Sequence, residues 1–142
     1  MSGMPGTDNE TVFQREVVSF TRRGGRLSER QQDAWDDLGE SHVLEPLRGQ
    51  SNTSVDPSAV FDAEAAFGRS APLIVEIGSG RGESLVHAAL EHPDVNFLGL
   101  EVYVPGVAQT LVGLRHACVT NIRMVVVDAA PALTTWLPVG SV

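Results

Sequence analysis

The sequence predicts an α/β fold built on a doubly wound parallel sheet. Three observations carry that prediction. From Pro72 onward, short apolar runs alternate with segments of helical periodicity; a glycine-rich turn joins the first run to the helix after it; and an acidic residue stands at or next to the carboxyl end of each run. Strands alternating with helices call for parallel pairing through right-handed crossovers.

Taken in chain order, residues 1–30 form a polar, Arg-rich arm with Gly24-Gly25 inside its basic stretch. A flexible arm is the expectation there. Residues 31–71 form a helical lead-in with a loop. Its helix is predicted over Glu29 to Leu38, with Ser28 as N-cap and Gln31 in the capping-box position three residues on. Pro, Gly, Asn and Ser then interrupt the pattern from Pro46 to Pro57, which reads as loop. A second short helix is predicted over Ala59 to Phe67, stopped by Gly68. Residues 72–142 carry the alternation itself. Leu73 to Ile77 is a short apolar run with the character of a buried parallel strand. Glu83 to Glu91 is helical, and His92-Pro93-Asp94 stops it. Asn96 to Glu101 is a second strand, Val107 to Ala117 a further helix, Ile122 to Asp128 a third strand, and Ala130 to Trp136 the start of another helix.

Composition limits the function classes. Hydrophobic residues make up 42% of the 142 residues, enough for the core of one domain of ordinary size. No apolar run is long enough to span a bilayer, and Met1 to Glu10 is polar, without a basic-then-apolar leader pattern. Cys118 is the single cysteine and has no internal partner for a disulfide. A cytoplasmic protein is the expectation. The formal charge of −8 is a poor overall match to nucleic acid, but it is unevenly spread. All ten basic residues are arginine, and Arg15, Arg22, Arg23, Arg26 and Arg30 fall in one stretch ahead of a strongly acidic one. Such a block reads either as a basic arm that meets a polyanion or as a solvated leader.

The chemistry concentrates where the first strand runs into Glu76-Ile77-Gly78-Ser79-Gly80-Arg81-Gly82-Glu83. Glycines here permit a tight turn and a close ligand approach at the start of a helix whose first N–H groups are unpaired. The dinucleotide fingerprint spaces its glycines G-x-G-x-x-G; in this loop the third, Gly82, falls one residue early, and Glu76 stands before the first. A carboxylate there would repel a pyrophosphate and suits a cationic ligand, such as a sulfonium that carries an ammonium. Glu101 closes the second strand about 20 residues beyond the loop, the distance at which an acid meets a ribose hydroxyl. Asp128 closes the third. In a doubly wound sheet these ends lie side by side at the ligand crevice. Glu76, Glu101 and Asp128 should then face the amino-acid, ribose and adenine parts of one ligand, although any one of them alone reads equally as a loop acid or a helix cap.

With those residues in place, a resemblance becomes specific. The glycine-loop run through Ser84-Leu85-Val86, then Asn96-Phe97-Leu98-Gly99-Leu100-Glu101-Val102, then Val104-Pro105-Gly106-Val107, resembles the bacterial tRNA (guanine-N7-)-methyltransferases. Asn121-Ile122-Arg123 and Asp128-Ala129 continue the likeness in register, and Ser19-Phe20-Thr21-Arg22-Arg23-Gly24-Gly25-Arg26-Leu27-Ser28 is similar to the family's N-terminal arm. The resemblance implies a Rossmann-like class I methyltransferase sheet. It implies S-adenosylmethionine as cofactor, bound by Glu76, Gly78, Gly80, Gly82, Glu101 and Asp128, and methyl transfer to guanine N7 in the variable loop of tRNA. It also implies tRNA contact by Arg22, Arg23 and Arg26. Two departures are small: Tyr103 and Val127 stand where the family commonly has histidine. The family's Phe-Pro-Asp-Pro-Trp motif, with the proposed catalytic aspartate, and its following basic run are not in these 142 residues. The expectation is therefore half a sheet with no catalytic residue of its own, inactive alone and completed by a further C-terminal segment. A rival from another class is a non-catalytic half-domain that binds S-adenosylmethionine or a partner chain; a nicotinamide-dependent oxidoreductase is disfavoured by the glycine spacing and Glu76.

Other residues read more plainly. Arg81 is a loop arginine that either touches substrate phosphate or is solvated. His87 and His92 lack the spacing of a metal site. Cys118 is expected to pack at a helix end, and Trp35 and Trp136 to pack rather than stack on bases.

Overall fold

The computed structural model describes residues 26–142. Arg22 and Arg23 lie outside the described residues, whereas Arg26 is described and exposed. Helix α1, Glu29–His42, starts at the expected capping box: Ser28 accepts from the Gln31 N–H, and the Gln31 side chain accepts from the Ser28 N–H. It runs past the predicted Leu38 because Gly39 is packed against Trp35 and the helical bonding continues until Val43 turns extended. There Val43–Leu44 forms β1, a two-residue strand that the sequence reading placed in no element. Helix α2, Ala63–Phe67, is shorter than expected; Asp62 caps it by accepting from Ala65 N–H, and Gly68 ends it with a positive φ. Strand β2 spans Leu73–Ile77, helix α3 Glu83–Glu91, strand β3 Asn96–Glu101, helix α4 Val104–Ala117 and strand β4 Ile122–Val126. The last helix is one α-helical turn, Ala129–Pro131, that widens into π geometry over Ala132–Trp136.

All pairings are parallel, in the order β1-β4-β3-β2. This is the half of a doubly wound sheet that the sequence predicts. β3 lies at its centre, buried at every position. Its side chains alternate between two cores, as a pleated strand requires. Phe97 joins Ile122 and Met124 under α1, α3 and α4, with Ala34, Leu85, Val107 and Leu111 supplied by the helices. Leu98 and Leu100 join Val125 and Val127 on the opposite face, covered by Phe61, Phe67 and Trp136. Phe61 and Trp136 meet edge to face at 4.9 Å, so Trp136 is a packing residue; Trp35 packs at the margin of the first core.

The open edge expected of half a sheet falls on β2, which leaves Ile74 47% and Ile77 56% exposed in the described residues. One expectation changes. Cys118 is exposed rather than packed, because it caps α4 in the left-handed conformation and its backbone N–H bonds Leu114 O.

Candidate functional site

The register of the three long strands brings their carboxyl ends level. Glu76 pairs beside Gly99, Ile77 beside Leu100, and Glu101 beside Val126. Beyond the ladder, Gly78 N–H continues onto Leu100 O and Val127 N–H onto Glu101 O. The glycine loop therefore leaves β2 directly over the end of β3. Gly78, Gly80 and Gly82 all have positive φ, and Cβ atoms added at Gly78 or Gly80 would meet open space. At Gly82 the demand is stricter. Its φ is +78°, and a Cβ would run into the Thr110 side chain on α4. That close packing of loop on helix is what the early third glycine provides.

Glu101 is 8% exposed and already holds two donors. Its Oε2 accepts from Gly80 N–H at 2.7 Å and its Oε1 from Tyr103 N–H at 3.0 Å. The carboxylate thus ties the glycine loop to the turn that starts α4. A carboxylate has about four acceptor sites, so two remain for hydroxyls. Gly106, within the Val104-to-Val107 run, completes this join: a Cβ there would strike Gly80 O, so only glycine lets α4 approach the loop. In the sequence Gly106 stands out only as part of the Val104-Pro105-Gly106-Val107 run.

Glu76 lies on β2, and burial raises its carboxyl above the usual glutamate range. Asp128 follows β4 and caps the next turn, accepting from Ala130 N–H at 3.3 Å. Its own N–H donates to Thr53 O at 2.8 Å. Glu76, Glu101 and Asp128 thus belong to three adjacent strand ends, while Arg26 stands apart, just ahead of α1. The Ser79 hydroxyl is buried in the loop without a protein partner. Arg81 is exposed, and His87 makes a surface pair with Glu91 at 3.2 Å. Among the described residues no group of three or more His, Cys, Asp and Glu is placed to hold a metal ion, and no helix is long and apolar enough to cross a membrane.

Asn121, quoted only as part of a motif, carries a structural task. Its Nδ2 donates toward Ala89 O, His92 O and Val95 O, fixing the end of α3 to the start of β4.

An open glycine turn over the middle of a parallel sheet, with acids at the neighbouring strand ends, is the frame of a nucleotide-cofactor domain. The chain belongs to the methyltransferase family whose model, described as "Putative methyltransferase", matches residues 70–142. Among curated relatives, it is 52% identical over 125 residues to a tRNA (guanine-N(7)-)-methyltransferase of Arthrobacter sp. (strain FB24), covering 88% of this chain and 39% of the relative. A protein of the same name from Paenarthrobacter aurescens (strain TC1) is 51% identical over 125 residues, covering 88% and 42%. A third, from Sodalis glossinidius (strain morsitans), is 38% identical over 141 residues, covering 96% and 53%. The chain therefore spans about two fifths to one half of the length of these relatives.

Proposed function

We propose that this chain is the S-adenosylmethionine-binding part of a cytoplasmic tRNA guanine-N7 methyltransferase. The observation that carries the reading is the loop of positive-φ glycines hydrogen-bonded to Glu101 and flanked by Glu76 and Asp128. The donor set fits this cofactor. Glu76 offers negative charge where the sulfonium and ammonium would lie, Glu101 keeps acceptor capacity for the ribose, and the space above Gly78 and Gly80 is open. When bound, the cofactor supplies an electrophilic methyl group. Guanine N7 already has an available lone pair, so the protein's contribution is largely to align the two. Here Glu101, by holding Gly80 and Tyr103 together, fixes the loop against which the donor is placed. Arg22, Arg23 and Arg26 are proposed to meet tRNA phosphates, and a further segment is proposed to complete the sheet along β2 and bring the catalytic group.

The test is transfer of labelled methyl from S-adenosylmethionine to unmodified tRNA, with the product position read by mass spectrometry. The chain alone should be inactive, and the chain joined to the C-terminal remainder of the Arthrobacter relative should methylate guanine N7. A folded, joined protein that transfers nothing, or methylates another atom, would contradict the reading.

A further inference from the structure

The amino end of the sheet carries cationic charge that no carboxylate of the described residues meets. Arg123 pairs beside Leu98, and Asn96 stands two residues before Leu98, so both side chains rise from the face that α2 and Phe67 cover. There Arg123 Nε donates to Ala66 O at 2.9 Å, and its Nη1 donates to Thr120 O and Ile122 O, both at 2.8 Å. Its guanidinium lies 5.2 Å from the centre of the Phe67 ring. Arg69, just after α2, donates from Nε to Asn96 Oδ1 at 2.9 Å and from Nη2 to Val95 O at 3.1 Å. Each of these anchors is an uncharged acceptor. The ion pairs of the described residues are Arg48 with Glu45 and His87 with Glu91, both elsewhere. Burial, and next the charge of Arg69, hold the Arg123 guanidinium below its ordinary pKa. The Asn96 side chain is fully buried, and its Nδ2 has no partner. Beside Arg69 opens a cavity of about 430 Å³ whose lining includes Val60, Glu64, Ser70, Pro138 and Ser141. The Ser141 hydroxyl is also buried without a partner.

This cavity sits at one end of the open edge. Arg69-Ser70-Ala71-Pro72 runs straight into β2, whose outer side leaves Ile74 and Ile77 exposed. A strand added there in parallel, like every pairing in the sheet, would begin at the cavity. We propose that Arg69 and Arg123 form a latch for one carboxylate, carried near the first residues of the segment that adds to β2, and that the cavity seats the residues around it. Arg69 Nη1 and Arg123 Nη2 bond no acceptor among the described residues. A carboxylate has about four acceptor sites and can take both. Pairs of guanidinium and carboxylate are strong and specific in geometry. A phosphate of RNA is the poorer fit, because Asp62 and Glu64 line the same cavity and repel a polyanion. Val60, 72% exposed, and Pro138 instead offer apolar contact to a polypeptide. The inference rests on the reading that a further segment completes the sheet, and adds the contact that fixes where that segment starts.

In the experiment, arginines are labelled with phenylglyoxal and each site is read by peptide mass spectrometry. The 142-residue chain is compared with the chain joined to the C-terminal remainder of the Arthrobacter relative. Exposed Arg115 is the reference. Relative to it, Arg69 should label freely in the 142-residue chain and about tenfold more slowly in the joined protein, the factor expected of one hydrogen bond to a charged group. Urea midpoints separate charge from simple covering. Arg69→Gln should lower the midpoint of the joined protein more than that of the 142-residue chain, and Arg69→Lys, which keeps the charge, should recover part of the extra loss. Equal losses in both proteins would leave Arg69 only its bond to Asn96 and overturn the latch. An Arg69 that labels equally fast in both proteins overturns it too, and methylation of guanine N7 by that joined protein would leave the functional reading standing. Arg69 protected in a joined protein that methylates nothing keeps the latch and sinks the functional reading. Protection of Arg69 in the 142-residue chain by added tRNA would assign the pair to phosphate and overturn the proposal. If the variants do not fold, the labelling of the two wild-type proteins decides.

Discussion

Glu101 closes the glycine loop with one carboxylate, through Gly80 and Tyr103, and in the proposed function it also accepts ribose hydroxyls. Replacing it with alanine removes the loop tie and the ribose acceptors together. Hydrogen bonds to a charged group are worth roughly 1.5–3 kcal/mol each, so affinity for S-adenosylhomocysteine should fall at least tenfold by calorimetry. An unchanged dissociation constant would make Glu101 a strand-end acid that serves the fold alone. Glu76 leads to a pH prediction. Burial raises its folded-state pKa, so the folded chain holds that proton more tightly than the unfolded one. Its contribution to stability is fully present below the unfolded pKa and declines as pH rises through the raised folded value. Ligand binding runs the other way, because a cationic ligand needs the ionised carboxylate. Affinity for S-adenosylmethionine should therefore begin to drop, on acidification, at a higher pH than an ordinary glutamate would produce. Glu76→Gln should bind weakly and flatten that part of the pH profile; a Gln variant with the wild-type profile would assign the titration to another group.

At the scale of elements, the join between the glycine loop and α4 is the sensitive point. Gly82→Ala places a Cβ at φ +78° and against Thr110. The left-handed conformation costs an L-residue roughly 1–2 kcal/mol, and overpacking a close contact typically adds ~1–3 kcal/mol. The urea midpoint should fall clearly with an unchanged slope, and a neutral substitution would mean that the loop relaxes freely. What the sequence disclosed of these elements follows from how strongly each is patterned. β2 and α3 show at their predicted bounds because the first apolar run ends at Gly78 and the helix at His92-Pro93-Asp94, and β3 because its apolar run follows that same stop and closes on Glu101. β1 was hidden because Val43-Leu44 is too short for any period and precedes Pro46. α4 begins at Val104, three residues before the predicted Val107, because Pro105 falls in the first turn, where its missing N–H costs no helical bond. Asp128 was expected inside a strand; it caps the following turn instead, as Asp commonly does. The three strand-end acids were legible from spacing alone. The Arg69 anchor on Asn96 was not, since it joins positions 27 residues apart.

For the whole molecule, the open side of β2 is the main liability. An edge strand with exposed Ile74 and Ile77 presents unpaired backbone beside apolar side chains. The chain alone should self-associate with rising concentration in size-exclusion chromatography. The double change Ile74→Lys and Ile77→Lys should shift it back toward a monomer; a monodisperse wild type at all concentrations would contradict this. The molecule's proposed chemistry depends on what the crevice holds, and the most direct test is calorimetry of the folded chain with S-adenosylhomocysteine and, separately, with NAD. Saturable binding of S-adenosylhomocysteine at one site, weakened by Glu101→Ala, is expected, with no comparable binding of NAD. Tighter binding of NAD, or a folded chain that takes up neither ligand, would contradict it.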